Sequence, residues 1–305
     1  MRPAPPAVQP ARWWLAFAWA LPIALLSGLV GLGGAECRLP LLAGPLRHSL
    51  RDAVPLNLAV SLVTLAAALA VRTQALSLTL LHPDVPVVLT VMAGAIVAVS
   101  AGPIAMRRLT ETRLAQFVLG LLLLIGMLLM GVAFLPLSVP PLIPQIISVQ
   151  VIAGLTLGLT VGVISSLLGV AGGALLIPMF VFVFGLDIKT AGTVSLIISL
   201  PIVVIGIARF ARFGAYRQPS LRETIAAMGA GSVVGAMIGG LLVGLVPAPL
   251  LTGGLGALII WSAWRTFAQA RQARGVVRQH AAPHRRSRLS LASDASRAGR
   301  AHRGG

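Results

Sequence analysis

The sequence has little charge and very few acidic residues. Only 10% of its 305 residues are charged and only 7 are Asp or Glu, whereas 57% are hydrophobic and the mean hydropathy is +0.95. A soluble domain of this length needs more charged side chains to cover its surface. The scarcity of charge therefore excludes an ordinary soluble domain and indicates that lipid is the solvent for most of the chain.

Cysteine and recognisable catalytic motifs are scarce too. The single cysteine, Cys37, excludes an internal disulfide framework and a cysteine-based metal cluster. None of the 5 histidines combines with carboxylates at metal-ligand spacing, so we predict neither a metal nor a cofactor. The sequence also lacks a nucleophile–base pattern, an HExxH motif and a phosphate loop with lysine. These absences argue against an enzyme and against transport driven by ATP hydrolysis in this chain.

Long apolar runs, in contrast, recur along the whole chain. They lie at 13–31, 53–71, 86–106, 114–135, 146–168, 174–186, 190–208, 224–246 and 249–267. About twenty apolar residues cross ~30 Å of hydrocarbon, and such a span must be helical because its backbone groups cannot reach water. We therefore predict an all-α, polytopic helical membrane protein with eight to ten membrane elements.

The two halves of the chain are similar to each other. Residues 27–62 match residues 165–200 without a gap, at an offset of 138. The glycines and prolines that keep this register are Gly31, Gly34 and Pro40 in the first copy and Gly169, Gly172 and Pro178 in the second. In each copy an apolar helix leads into a glycine cluster and then into a shorter apolar piece. The register predicts two repeats, each with a glycine-broken or re-entrant helix.

The repeat divides the chain into four parts. They are an N-terminal tail at 1–12, a first transmembrane repeat at 13–135, a second at 146–268, and a basic C-terminal tail at 269–305. The C-terminal tail is rich in Arg, Ala, Ser and Gly and has no apolar period. We predict that it is disordered and contacts anionic lipid. No fold signature supports a nucleic-acid partner, although the net charge is +17.

The arginines predict how the two repeats insert into the membrane. If each glycine break is only a kink within one span, the basic loop residues divide between both sides. If each break reverses the chain, most of them share one side with both termini, and only Arg38, Arg72 and Lys189 remain opposite or within the membrane. The second arrangement fits the positive-inside rule better. We therefore predict inverted repeats in the bacterial inner membrane, with both termini in the cytoplasm.

A weaker echo of the repeat is a stripe of small residues. Gly94, Ala98 and Gly102 correspond to Gly231, Gly235 and Gly239, each with a small residue at every fourth position. This spacing lets two membrane helices approach closely, so we interpret the stripe as helix packing.

The duplicated motif resembles the sulfite exporter TauE/SafE family. The first copy reads GLVGLGGAECRLPLL and continues into DAVPLNLAVSLVT, and the second reads SLLGVAGGALLIPMF and continues into TAGTVSLIISL. The resemblance covers about residues 20–268. It implies an inner-membrane permease for small anions, often sulfur-containing oxyanions or organosulfonates. The chain departs from the pattern at Glu36, Cys37 and Arg38, where small or aliphatic residues are usual, so its site is expected to be asymmetric or its substrate different.

The glycine breaks are the first candidate substrate site. A break exposes backbone N–H groups at the start of the next helix, where the helix dipole also favours an anion. The candidate anion-binding glycines are Gly31, Gly33, Gly34, Gly169, Gly172 and Gly173. The alternative is that these glycines only permit a tight turn and close helix packing.

Polar side chains beside the breaks complete the candidate site. Arg38 is a candidate anion ligand and Glu36 a candidate carrier of a coupling proton, because charge at membrane depth is costly and usually functional. The alternative places both in a surface pair at the membrane interface. Hydroxyl and amide donors on the helices after the breaks are further candidates, namely Asn57, Ser61, Ser195 and Ser199. Such groups also commonly bond their own helix or a neighbouring one.

These features predict a secondary transporter that lies in the lipid bilayer and carries a small anionic substrate. A non-transporting membrane scaffold or assembly protein is the alternative, but it has no evident need for two glycine breaks at equivalent positions. The sequence leaves open the identity of the substrate, the direction of transport, the coupling ion and whether the chain forms a homo-oligomer.

Overall fold

The computed structural model describes residues 10–43, 50–75, 85–106, 142–144, 146–168, 172–217, 219–261 and 264, together with 120, 123–124, 126–127, 129–131 and 133. Gly169, the first nine residues and the predicted tail at 269–305 lie outside this description. Within it, every regular element is helical and no strand occurs. The prediction of an all-α protein is confirmed.

The helices follow the apolar runs closely. They are α1 (Pro10–Val30), α2 (Ala35–Ala43), α3 (Leu50–Ala75), α4 (Val85–Met106), α5 (Ile147–Leu168), α6 (Gly173–Phe182), α7 (Ile188–Arg212), α8 (Pro219–Leu242) and α9 (Ala248–Trp261). A short 3-10 helix at Ala215–Arg217 separates α7 from α8. The described residues between 120 and 133 are helical as well.

Five of these helices are long and apolar enough to cross a membrane. The candidate spans are Trp13–Val30, Asp52–Gln74, Ile147–Ser165, Ile188–Arg212 and Leu221–Leu242. Large apolar side chains on them are exposed, for example Trp14 at 66% and Ile152 at 65%. Lipid rather than water is the solvent that such surfaces suit. The chain is therefore a multi-pass membrane protein.

Polar capping and glycine turns set the ends of α7. The Asp187 carboxylate accepts hydrogen bonds from the backbone N–H groups of Lys189 (2.9 Å) and Thr190 (3.2 Å), which are donors that the first turn of a helix leaves without partners. At the other end, Gly214 adopts a φ of 73°, a conformation that glycine tolerates best. The helix thus has a defined start and a defined stop.

The long helices pack in pairs through small residues. Helix α1 lies along α8, α4 lies along α5, and α3 contacts both α7 and α8. Gly231, Gly235 and Gly239 each face backbone carbonyls of α1, where a Cβ would overlap them. Gly94 faces α5 in the same way. Both contacts agree with the interpretation that the small-residue stripe serves helix packing. The surroundings of Gly102 lie outside the description.

Two cross-helix hydrogen bonds satisfy backbone carbonyls near the predicted cytoplasmic side. Pro103 has no N–H to offer the Val99 carbonyl one turn earlier, and the Arg209 Nη1 donates to that carbonyl instead (2.7 Å). The Tyr216 hydroxyl donates to the Pro55 carbonyl (2.9 Å), and burial raises the pKa of Tyr216 to about 12. Both contacts fix α7 and the following turn against their neighbours.

Candidate functional site

The first break lies between α1 and α2. Gly31 and Gly34 have φ angles of 96° and 69°, which are rare for residues with a side chain. The amides of Gly31 and Leu32 both donate to the Ser27 carbonyl, at 2.8 and 2.9 Å. The predicted anion donor at Gly31 is therefore already engaged within the chain. The first hydrogen bond inside α2 runs from the Arg38 amide to the Gly34 carbonyl (3.2 Å), so the amides of the preceding turn point out of the helix start.

The second break has the same local geometry. Gly172 has a φ of 78° and directly precedes α6, as Gly34 directly precedes α2. The amides of Leu175 and Leu176 both donate to the Gly172 carbonyl, at 3.0 Å. Gly173 is the first residue of α6 and is buried. The start of α6 therefore lies in the interior of the protein.

The two breaks touch each other. A Cβ on Gly173 would lie 3.2 Å from Leu32 Cδ2, 3.5 Å from Leu32 Cα and 3.4 Å from Ser195 Oγ. Leu32 belongs to the first break and Gly173 to the second, and Ser195 extends from α7 toward the same point. The start of α6 is thus brought against the first break with a hydroxyl beside it.

Ser195 and Asn57 contribute buried polar atoms that have no hydrogen-bond partner in the described part of the chain. Ser195 is fully buried, and its Oγ has no hydrogen-bond partner among the described residues. Asn57 is also fully buried. Its Nδ2 donates to the Ala35 carbonyl (3.3 Å), whereas its Oδ1 has no hydrogen-bond partner among the described residues. A buried polar atom without a partner costs free energy and so marks a point where a ligand can bind.

Arg38 is fully buried and held by α3. Its Nη1 donates to Ser61 Oγ (3.1 Å) and its Nη2 donates to Thr64 Oγ1 (2.5 Å). Because the Arg38 side chain is buried, it does not fit the alternative of a surface pair with Glu36. The Glu36 side chain lies outside the described residues. Ser61 thus reaches the candidate site through Arg38, whose guanidinium it orients.

The remaining predicted site residues are buried around this contact. Gly33 is buried in the first break, and Ser199 is fully buried on α7, where it makes a polar contact. Thr193 on the same helix donates to the Lys189 carbonyl (2.9 Å), so its hydroxyl is used within its own helix. Among the described residues, no group of three or more His, Cys, Asp or Glu side chains has the arrangement of a metal site.

Two buried polar residues were not identified as site candidates from the sequence. Thr64 and Arg72 are both fully buried, and with Asn57 and Ser61 they form one line of polar residues along α3. Their spacing of four, three and eight residues places them on one helix face. The signal that would have found them was this helical period of polar residues inside an otherwise apolar span.

Comparison with known proteins gives one family match. The family model described as sulfite exporter TauE/SafE matches residues 1–129 and 154–295. No curated protein and no solved structure matches the chain. The match includes both glycine breaks and the whole polar line of α3.

Proposed function

Because this chain belongs to the sulfite exporter TauE/SafE family, a family of membrane transporters, we propose that it is a secondary transporter for small anions. The substrates that fit best are sulfite, sulfonates and related sulfur oxyanions, moved across the bacterial inner membrane. The observation that carries the proposal is the contact between the two breaks, where Gly173 packs on Leu32 beside the Ser195 hydroxyl.

The chemistry at this contact suits an oxyanion. The amides of Ala35, Gly173 and Ala174 begin α2 and α6 and are donors that their own helices cannot satisfy, and the positive end of each helix dipole lies there. The Ser195 hydroxyl can donate a further hydrogen bond, because it has no protein partner among the described residues. Arg38 adds a positive charge on the first-break side. An oxyanion accepts hydrogen bonds from all of these groups, whereas a cation is repelled by them.

The packing of the short helices supports a chain reversal at each break. Leu41 and Leu42, at the end of α2, share an apolar cluster with Ala16 and Ala20 near the start of α1. In the second half, the Leu142 amide, which precedes α5, donates to the Phe182 carbonyl at the end of α6 (3.1 Å). Each short helix thus ends close to the beginning of the helix before it. This is the behaviour of a re-entrant element rather than of a kinked span.

The helix pairs support an internal two-fold relation. At the offset of 138 residues, α1 corresponds to α5 and α4 corresponds to α8. The pair α1–α8 is therefore equivalent to the pair α4–α5, and α3 and α7 form the central pair. Inverted repeats of this kind bind substrate between their broken helices and expose it to each side in turn. The arginine distribution then favours both termini in the cytoplasm.

Anion flux in proteoliposomes tests the proposal. The purified full-length chain is reconstituted, and uptake and efflux of sulfite, sulfate and sulfoacetate are followed under an imposed anion or proton gradient. We expect gradient-driven movement of at least one sulfur oxyanion and no movement of a cation panel. If no anion of the panel moves although the protein is correctly inserted, the transport proposal is wrong and a scaffold role is favoured.

A further inference from the structure

Arg72 is a buried arginine whose position the break contact alone does not explain. It lies in the last turn of α3 and is fully buried. A charged side chain inside a membrane span is costly unless it is paired, hydrated or used in function. The surroundings of its guanidinium therefore indicate what the side chain does.

Two glycines make room for this guanidinium. A Cβ on Gly31 would lie 2.5 Å from Arg72 Nη1, and a Cβ on Gly192 would lie 3.0 Å from Nη1 and 3.1 Å from Nη2. These Cβ atoms would also overlap backbone carbonyl oxygens, that of Gly192 for Gly31 and that of Val30 for Gly192, so the two backbones pack closely beside the guanidinium. The first break and α7 thus form a cradle of bare backbone around a positively charged group.

The cradle leaves most of the donors of Arg72 unused. Its Nη2 donates to the Lys189 carbonyl (3.2 Å), but Nε and Nη1 are buried and have no hydrogen-bond partner in the part of the chain that the structure describes. The acidic group that acts on it electrostatically is Asp187. The Oδ1 of that carboxylate caps α7 by accepting the Lys189 and Thr190 amides. Arg72 therefore presents buried N–H donors and positive charge together.

Arg72 lies next to the contact between the two breaks. Gly192, which faces the guanidinium, is three residues before Ser195 on α7, so the two lie on one helix face about 4.5 Å apart along the axis. Gly31 immediately precedes Leu32, which packs on Gly173. The guanidinium and the Ser195 hydroxyl are thus neighbours along the same two segments.

We propose that Arg72, in its cradle of Gly31 and Gly192, is a second anion-binding station that hands the substrate to the break contact at Ser195. The inference rests on the proposed transport of small anions and adds a residue and a step to it. The planar guanidinium recognises oxyanions by directional hydrogen bonds as well as by charge. Arg72 then lies nearer the side where α1 and α3 end, and Ser195 lies about one helical turn further along α7.

Transport kinetics in proteoliposomes and anion-dependent thermal stabilisation of the detergent-purified chain test this step. The variants are Arg72→Gln, Arg72→Lys and, as a matched control, Arg209→Gln, which also removes an arginine that donates to a backbone carbonyl. We expect Arg72→Gln to raise the apparent KM for sulfite about tenfold or more and Arg72→Lys to raise it about threefold, consistent with loss of one charge-assisted contact. Arg209→Gln is expected to keep the wild-type KM. Sulfate at constant ionic strength is expected to raise the melting temperature of the wild type and not of Arg72→Gln.

Each outcome decides the inference separately from the proposed function. If the wild type transports sulfite and Arg72→Gln keeps its KM, Arg72 only supports the fold and the station is disproved, while the transport proposal stands. If Arg72→Gln does not fold, Arg72→Lys decides, because a wild-type KM there contradicts directional recognition by the guanidinium. If the wild type moves no anion but sulfate stabilises it through Arg72, the transport proposal fails and the binding station remains.

Discussion

The two glycine-break units, α1–α3 and α5–α7, share a backbone plan and differ in what they bury. In each unit a long helix ends in a break, a glycine with a φ near 70° to 80° precedes a short helix, and a long buried helix follows (Gly34 69°, Gly172 78°). The short helices begin at Ala35 and Gly173, and the following helices begin at Leu50 and Ile188, both at the offset of the sequence match.

The side chains at equivalent positions of the two units differ in four of five pairs, and only the serines at 61 and 199 are shared. In order along the chain, the pairs are Arg38 and Leu176, Asn57 and Ser195, Ser61 and Ser199, Thr64 and Ile202, and Arg72 and Phe210. The first unit supplies the buried charge, and the second supplies small hydroxyls and apolar surface. The two units thus provide two similar helix starts, while the buried arginines at these positions belong to the first unit only. We infer that the first unit determines selectivity for anions.

The largest expected effect comes from moving charge into the second unit. Leu176 is fully buried in an apolar cluster with Ile177 and Phe180. Leu176→Arg would place there the residue that the first unit carries at this position, but without the Ser61 and Thr64 hydroxyls. We expect a loss of about 3 kcal/mol or more, seen as failure to purify in a monodisperse form. A variant as stable as the wild type would contradict the division of charge between the units.

The glycines before the short helices are the next point of comparison. Both glycines have a positive φ, so alanine is strained at either position. At Gly34 a Cβ would also overlap Ser27 Oγ and lie 2.8 Å from Arg38 Nη2, whereas at Gly172 the nearest atom is Val161 Cγ1 at 3.0 Å. We expect Gly34→Ala to cost about 2 kcal/mol and Gly172→Ala about 1 kcal/mol. Thermal unfolding in detergent measures both. Gly229→Ala is the control, because a Cβ there meets nothing within 4 Å and alanine favours the helix. Equal losses at Gly34 and Gly172 would contradict the closer fit of the first break.

Replacing Arg38 by the leucine of the second unit separates binding from folding. The Thr64 hydroxyl already donates to the Val60 carbonyl (2.8 Å), so it keeps a partner in Arg38→Leu. We expect a folded protein whose sulfite transport at low substrate falls about tenfold, which corresponds to about 1.4 kcal/mol. Initial rates in proteoliposomes with matched protein content measure it. Unchanged transport would assign Arg38 to packing alone.

The smallest expected effects distinguish the paired polar residues Asn57 and Ser195. Asn57→Ala removes the hydrogen bond to the Ala35 carbonyl and should cost about 1 kcal/mol of stability. Ser195→Ala removes a hydroxyl that has no protein partner among the described residues, so stability should stay within about 0.5 kcal/mol while KM rises. If Ser195→Ala destabilises the protein as much as Asn57→Ala and leaves KM unchanged, the hydroxyl is structural.

The sequence predicted the membrane helices and the breaks because lipid imposes simple rules. A span must be long, apolar and helical, and a glycine cluster beside a proline is a strong local signal. The polar residues Asn57, Ser61, Ser195 and Ser199 could be selected as candidate ligands from the sequence, since polar residues are conspicuous in an apolar span, and their role as ligands stays a prediction. Local sequence rules do not predict the contact between Leu32 and Gly173, because that contact depends on how distant helices pack.

Two interior arginines show where sequence reasoning was weakest. The charge pattern left Arg38 and Arg72 together as exceptions to the positive-inside rule, but it could not separate an interfacial arginine from a buried one. Burial depends on tertiary neighbours, and for Arg72 these are Gly31 and Gly192, from two distant parts of the chain. The glycine at position 31 was assigned to anion binding through its amide, whereas the structure uses that amide for Ser27 and the space for Arg72.

Cysteine reactivity at Ser195 tests most directly whether the two breaks form one anion site. Ser195→Cys is made in a Cys37→Ala background, with Ser232→Cys on α8 as the control, since Ser232 is equally buried and its hydroxyl also has no partner among the described residues. Reconstituted protein is treated with a sulfonate-bearing and a trimethylammonium-bearing methanethiosulfonate reagent, with and without sulfate. We predict that Cys at 195 reacts faster with the anionic reagent and that sulfate slows this reaction, whereas Cys at 232 shows neither effect. Equal rates for both reagents at position 195, without protection by sulfate, would contradict an anion site at the contact of the breaks.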